Sequence, residues 1–205
     1  MIYRNLSDFC EVHEAFAGIA SVGKTCKHSI QGQGENMVVI HWDPADRSFV
    51  LRSSMVLEHS RETLFEFFSD AFQLQKITPH WLNFEIRTPA PISICQGCLL
   101  DYSIRLHGIP IRWRTEISSW DPPFSFTDRQ LRGPYSLWEH LHTFESVPEG
   151  TLAVDEVRYR VFGGRLINRL FVEKDLVKIF TFRRMKMLEL FPPRTAKFES
   201  AKAST

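Results

Sequence analysis

The chain contains no long hydrophobic run. No apolar stretch approaches the ~20 residues that span a bilayer, which argues against an ordinary transmembrane helix. The opening residues, Met-Ile-Tyr-Arg-Asn-Leu-Ser-Asp, lack the basic region and apolar run of a signal peptide. The expectation is a soluble protein of the cytoplasm. Cysteine is scarce. Cys10, Cys26, Cys95 and Cys98 are the only four among 205 residues, too few for a disulfide framework. An excess of one charge is also missing. Lys and Arg number 25 against 24 Asp and Glu, a formal net charge of +1, so no global field argues for a nucleic-acid partner. There is no internal repeat.

Aromatic residues are abundant. Seventeen Phe and five Trp can fill a core and still line a pocket. The most informative stretch runs from Tyr135 to Tyr159. Strand side chains alternate faces, so Trp138, His140, His142 and Phe144 share one face. An even hairpin loop at Pro148-Glu149 pairs Val147 with Gly150. Counting outward, Phe144 meets Ala153, His142 meets Asp155, His140 meets Val157 and Trp138 meets Tyr159. A three-residue loop would scatter this set. The even loop gathers two imidazoles, a carboxylate, an indole and a phenol on one wall. Such a wall suits the lining of a ligand cavity.

Organisation follows from punctuation. A break near Pro44–Arg47 separates an N-terminal extension, residues 1–47, from a regular region, residues 48–191, and a tail, residues 192–205. Residues 48–57 read as a strand. Ser60 is an N-cap for a helix over about 61–70, and a second short helix over about 71–76 stops before Pro79. About six strands follow. The first is Trp81–Arg87. Pairing His107 with Pro110 sets Leu106 against Ile111, Ile104 against Trp113 and Tyr102 against Thr115. Tyr102 and Trp113 fall on the apolar face, where they fill a core or line a cavity. Gly163-Gly164 ends the sheet. A long helix over about 165–191 carries a stripe of Leu166, Leu170, Val177, Phe180, Leu188 and Phe191. The order predicts an α+β fold, with a curved antiparallel sheet of about seven strands around a long C-terminal helix.

These segments resemble the START/Bet v 1-like helix-grip superfamily, and within it the polyketide cyclase/dehydrase-like (SRPBCC) proteins labelled cell-division-inhibitor-like. The resemblance rests on Phe65-Glu-Phe-Phe68, Leu74 to Leu82, Gly108 to Trp113, Trp120 to Asp128, Gly133-Pro134-Tyr135, Trp138 to Phe144, and Gly150-Thr151 with Asp155 and Tyr159. The string from Gly133 to His142 is the most specific. The chain departs from the pattern at Phe162-Gly163-Gly164, where a Pro-Phe-Gly turn is common. The resemblance implies an internal cavity for a hydrophobic small molecule such as a lipid, a quinone or a polyketide-like compound. Tyr102, Trp113, Trp138, His140, His142, Asp155 and Tyr159 would line it, without a cofactor. A carrier or sensor is the first expectation. A cyclase or dehydratase using His142 and Asp155 as an acid/base pair is the alternative.

Three readings of His140, His142 and Asp155 stay open. They can form polar lining, an acid/base pair, or a zinc site with Asp155 as third ligand. Polar lining ranks first. Metal ranks last, because no cysteine or further histidine joins the set. Gly18-Ile-Ala-Ser-Val-Gly-Lys-Thr25 matches the P-loop pattern, but it lacks a buried strand before it and a helix after it, so it is read as part of the extension. Cys95-Gln-Gly-Cys98 is read as a turn with two thiols rather than a redox site, since a strand follows it. The C-terminal helix is basic, with eight Lys/Arg between Arg165 and Arg194 against three acids. That charge allows peripheral contact with an anionic membrane, although its scatter favours plain solvation.

Overall fold

The computed structural model describes residues 38–193. The P-loop-like match at Gly18–Thr25 and the tail beyond residue 193 lie outside the described residues. Strands β1 (Val38–Asp43) and β2 (Ser48–Leu57) come first. Helices α1 (Arg61–Phe68) and α2 (Ala71–Leu74) follow, then β3 (Glu85–Ile86), β4 (Leu99–Leu106), β5 (Ile109–Asp121), β6 (Ser125–Arg132), β7 (Tyr135–Val147) and β8 (Gly150–Val161). The C-terminal helix consists of α3 (Gly164–Ile167), a π turn (Asn168–Val172) and α4 (Glu173–Leu190). The eight strands form one antiparallel sheet in the order β1-β2-β8-β7-β6-β5-β4-β3. This is an α+β helix-grip arrangement. Strand β1 lies within the stretch read above as extension, and it pairs with β2 along its whole length.

Local chemistry explains each element. In β8 every second residue, from Thr151 through Ala153, Asp155 and Val157 to Tyr159, is buried, the period-2 signature of a half-covered strand. Ser60 caps α1 by accepting from the Thr63 amide at 3.3 Å. Asp70 does the same for α2 through Phe72, at 2.9 Å. On α4 the buried residues are Leu176, Phe180, Arg183 and Met187, spaced four, three and four apart. Leu176 and Phe180 join Leu51, Trp113, Trp138 and Val157 in one core cluster. Met187 joins Met55, Leu64, Phe65 and Phe144 in another.

Three sequence expectations need correction. Trp81–Arg87 is not one strand. His80–Leu82 forms a 3₁₀ turn, Asn83 takes a left-handed φ of 41°, and only Glu85–Ile86 pairs with β4. The β4–β5 register is displaced by two. Tyr102 faces Trp113, Ile104 faces Ile111 and Leu106 faces Ile109. The cause is the turn. His107 and Gly108 both have positive φ, 51° and 83°, so they form the two-residue primed loop that matches strand twist. The same residues keep the inner face, because the displacement is even. The helix stripe also differs. Leu166 and Leu170 are exposed, and Leu176, Arg183 and Met187 turn inward instead. The π turn adds a residue to one turn and rotates the phase by about 100°.

Candidate functional site

The β7–β8 hairpin has the register expected from its even loop. Val147 pairs with Gly150, Phe144 with Ala153, His142 with Asp155, His140 with Val157 and Trp138 with Tyr159. On its other side β7 pairs with β6, which sets Phe126 beside His142 and Asp128 beside His140. The two histidines therefore stand between Asp128 on one neighbouring strand and Asp155 on the other.

Both rings touch both carboxylates. His140 Nε2 is 3.1 Å from Asp155 Oδ1, and His142 Nε2 is 3.1 Å from Asp128 Oδ2. His140 Nδ1 lies 3.4 Å from Asp128 Oδ2, and His142 Nδ1 lies 2.8 Å from Asp155 Oδ1. The ring centroids are 3.8 Å apart. Phe126 stacks on His142 at 4.2 Å. Arg183 reaches in from α4, with Nε 3.3 Å from Asp155 Oδ2 and its guanidinium over the Phe68 ring. Both histidines, Asp155 and Arg183 are buried, and Asp128 is nearly so.

Electrostatics follow from this packing. Burial by itself would raise Asp155. Arg183 and the two imidazoles outweigh it and hold the carboxyl well below the usual range. Asp128 is lowered likewise against its burial, by the His142 hydrogen bond and the nearby positive charges. Burial and the neighbouring ring depress His140. His142 is raised despite burial, because both carboxylates hold it. Two carboxylates, one guanidinium and one imidazolium sum to zero. With one ring protonated the cluster would be electrically neutral.

The cluster forms one end of a cavity of about 190 Å³ between the sheet, α4 and the segment from α1 to the 3₁₀ turn. Asp128, His140, His142 and Arg183 line that end. Phe68, Leu82, Tyr102, Trp113, Trp138 and Phe180 supply apolar wall. Tyr102 and Trp113 lie opposite each other and stack at 5.7 Å. Thr115 accepts from Trp113 Nε1 at 3.1 Å and sits 3.4 Å from the Tyr102 hydroxyl. Burial, with the Asp128 charge nearby, raises Tyr102 and keeps it a neutral phenol.

Seven residues were expected at this wall. Tyr102, Trp113, Trp138, His140 and His142 border the cavity. Asp155 stands behind the imidazoles. Tyr159 is fully buried beneath Phe49, and its hydroxyl donates to Asn168 Oδ1 at 3.0 Å. It fastens the π turn to the sheet. Asp128 and Arg183 were missed. Asp128 shares a strand face with Phe126, and Arg183 keeps the spacing of Phe180 and Met187. Both signals become readable once the strand pairing and helix phase are known.

The two thiols sit in a turn, Sγ to Sγ 2.8 Å, with Cys98 donating to the Ser93 carbonyl at 3.0 Å. The hydrogen bond with Cys98 raises the Cys95 thiol, the opposite of an activated nucleophile. Among the described residues no helix is long and apolar enough to cross a membrane.

Solved structures share the fold at low identity. The chain is 14% identical to protein Ms6760 of Mycobacterium smegmatis, with a TM-score of 0.55 over 75% of this chain and 96% of that one. It is 12% identical to protein CV1439 of Chromobacterium violaceum, with a TM-score of 0.56 over 71% and 99%. For ginseng major latex-like protein 151 of Panax ginseng the values are 10%, 0.50, 72% and 99%. No curated protein matches the chain. A family described as polyketide cyclase/dehydrase and lipid transport matches residues 57–174, more than half of the sequence. That span holds Asp128, both histidines and Asp155, and the chain belongs to this family of polyketide cyclases, dehydrases and lipid-transport proteins.

Proposed function

We propose that the chain is a cytoplasmic carrier or sensor that binds a small hydrophobic molecule bearing one polar group. The observation that carries this reading is the cavity, apolar along most of its wall and charged at one end. Apolar contact would supply affinity, at about 25 cal/mol per Å² before ordering costs. The Asp128–His140–His142–Arg183 end would orient the polar group. The family description, with its cyclases and lipid transport, supports a hydrophobic ligand.

Volume narrows the class. The cavity, about 190 Å³, is smaller than the roughly 300 Å³ where drug-sized sites begin. It is close to the ~150 Å³ apolar cavity that holds benzene in another protein. A substituted single ring or a short chain fits. A lipid, quinone or polyketide-like molecule would seat its head there and run its tail past Ile104, Leu106 and Tyr135, where the wall is half-exposed.

Native mass spectrometry of protein purified from its own host, followed by organic extraction, tests the reading. A co-purifying apolar molecule is expected. Ile179 lines the cavity and is only half-buried, so Ile179→Trp should fill the space and lose that molecule while circular dichroism stays native. An Ile179→Trp protein that retains it would refute the assignment to this cavity.

A second reading is acid–base catalysis of the cyclase or dehydratase type. The 2.8 Å contact between His142 Nδ1 and Asp155 Oδ1, with His142 on the cavity wall, favours it. On this reading turnover of an enolisable substrate vanishes in His142→Ala. An unchanged rate ends it.

Delivery from a membrane would suit a carrier. Phe162, Leu166, Leu170 and Phe171 are exposed, beside the exposed Arg165 and Arg169. Apolar anchors among cations are the composition that an anionic bilayer surface attracts.

A further inference from the structure

The polar end of the cavity has two unlike sides. Asp155 lies behind the two imidazoles. Asp128 lies on their other side and borders the cavity together with them. Each imidazole has one nitrogen within 3.4 Å of each carboxylate. His140 uses Nε2 toward Asp155 and Nδ1 toward Asp128; His142 uses Nδ1 toward Asp155 and Nε2 toward Asp128.

A histidine that ligates a metal usually gives its other N–H to a carboxylate, which fixes the tautomer and the ring plane. Asp155 does this for His140, whose Nε2 hydrogen-bonds Oδ1, and stands at contact distance from His142 Nδ1, which makes no hydrogen bond. Its Oδ1 is 3.1 Å from one far nitrogen and 2.8 Å from the other. The remaining nitrogens, His140 Nδ1 and His142 Nε2, both lie on the Asp128 side. Asp128 Oδ2 stands 3.4 Å from the first and 3.1 Å from the second. Donors about 2.1 Å from a common ion, at octahedral to tetrahedral angles, are themselves roughly 3.0–3.4 Å apart. The two measured separations fall in that range. One donor from each of Asp128, His140 and His142 lies within 4.8 Å of the others.

We infer that Asp128, His140 and His142 form a three-ligand site for a divalent transition-metal ion at the cavity wall, with Asp155 behind the imidazoles and orienting His140 through its Nε2. Two imidazoles and one carboxylate, with the remaining positions open, form the donor set of zinc hydrolases and of non-haem iron sites. All three ligand residues border the cavity. The charges also specify the ligand. Asp128, Asp155 and Arg183 sum to −1, so a dication on neutral imidazoles leaves +1. An anionic oxygen (a carboxylate, an enolate or a hydroxide) completes the balance.

The test is metal binding, read without any assay of turnover. Chelator-stripped protein carrying Cys10→Ser, Cys26→Ser, Cys95→Ser and Cys98→Ser, so that no thiol can compete, is titrated with Co²⁺ and Zn²⁺. Visible d–d absorption follows the first and calorimetry the second. One equivalent is expected. Asp128→Asn should lower affinity by at least about 100-fold, and Asp155→Asn by about 10–100-fold. No saturable equivalent, or one unchanged in Asp128→Asn, overturns the inference. Should Asp128→Asn fail to fold, X-ray absorption on the zinc-loaded thiol-free protein decides. Two imidazoles with oxygen support the site, and a shell without imidazole refutes it. The carrier reading stands or falls separately. Protein that co-purifies with an apolar molecule yet takes no metal sinks only the metal site.

Discussion

Arg183 is a charged residue on the buried stripe of α4, and its position there depends on its partners. Asp155 and Asp128 are two carboxylates taken out of water. The guanidinium 3.3 Å from Asp155 is the fixed positive charge that makes this bearable. Arg183→Met keeps much of the apolar stem but strands a buried negative charge. The expected loss is about 3–5 kcal/mol, the usual cost of breaking a buried pair, measured by urea unfolding. A loss under about 1 kcal/mol would mean that the cluster re-forms around water. Residues of this kind are the hardest to read from sequence. His140, His142 and Asp155 announced themselves because one hairpin brings them together. Asp128 needs the β6–β7 pairing, and Arg183 needs the phase of a helix 28 residues beyond Asp155. Neither relation is local.

At the scale of elements, turns decided which expectations held. The β7–β8 loop has Pro148 and Glu149 between matched ends, so its register could be counted from the chain. The β4–β5 loop hid its register, since a histidine at positive φ has no clear sequence signal. The C-terminal helix was legible in length but not in orientation, because a π turn leaves no mark in a 3.6-residue pattern. That turn is held by a side chain. Tyr159 Oη donates to Asn168 Oδ1, and both residues are buried. Tyr159→Phe removes the donor and leaves the amide oxygen unpaired. The expected cost is about 1–3 kcal/mol. Hydrogen exchange should quicken in residues 168–176 before it does in the sheet. Uniform quickening would make Tyr159 an ordinary core residue, with no special hold on the turn.

Across the whole described region, the sheet and the C-terminal helix enclose a cavity, and four exposed apolar residues stand where that helix begins. Phe162, Leu166, Leu170 and Phe171 leave the sheet and enter the π turn that Tyr159 anchors. Vesicle sedimentation tests whether this patch meets a membrane. The protein should pellet with vesicles rich in phosphatidylserine, and binding should weaken as salt rises. Leu166→Ser with Leu170→Ser should release it at every salt concentration. Equal binding to neutral vesicles would show that the arginines contribute nothing.

The Pro148-Glu149 loop sets a rule of parity for the hairpin. Its two residues keep β7 and β8 in phase, so that His142 meets Asp155 on the inside. Lengthening it by one would put the sequence out of frame with the pleat. The chain would then have to absorb the extra residue as a bulge or send one partner outward. Lengthening it by two restores the count. Evolution can therefore decorate this tip freely in pairs of residues. An odd insertion would have to be repaired before it passed Phe144, or the polar cluster would come apart with no change in any residue that composes it.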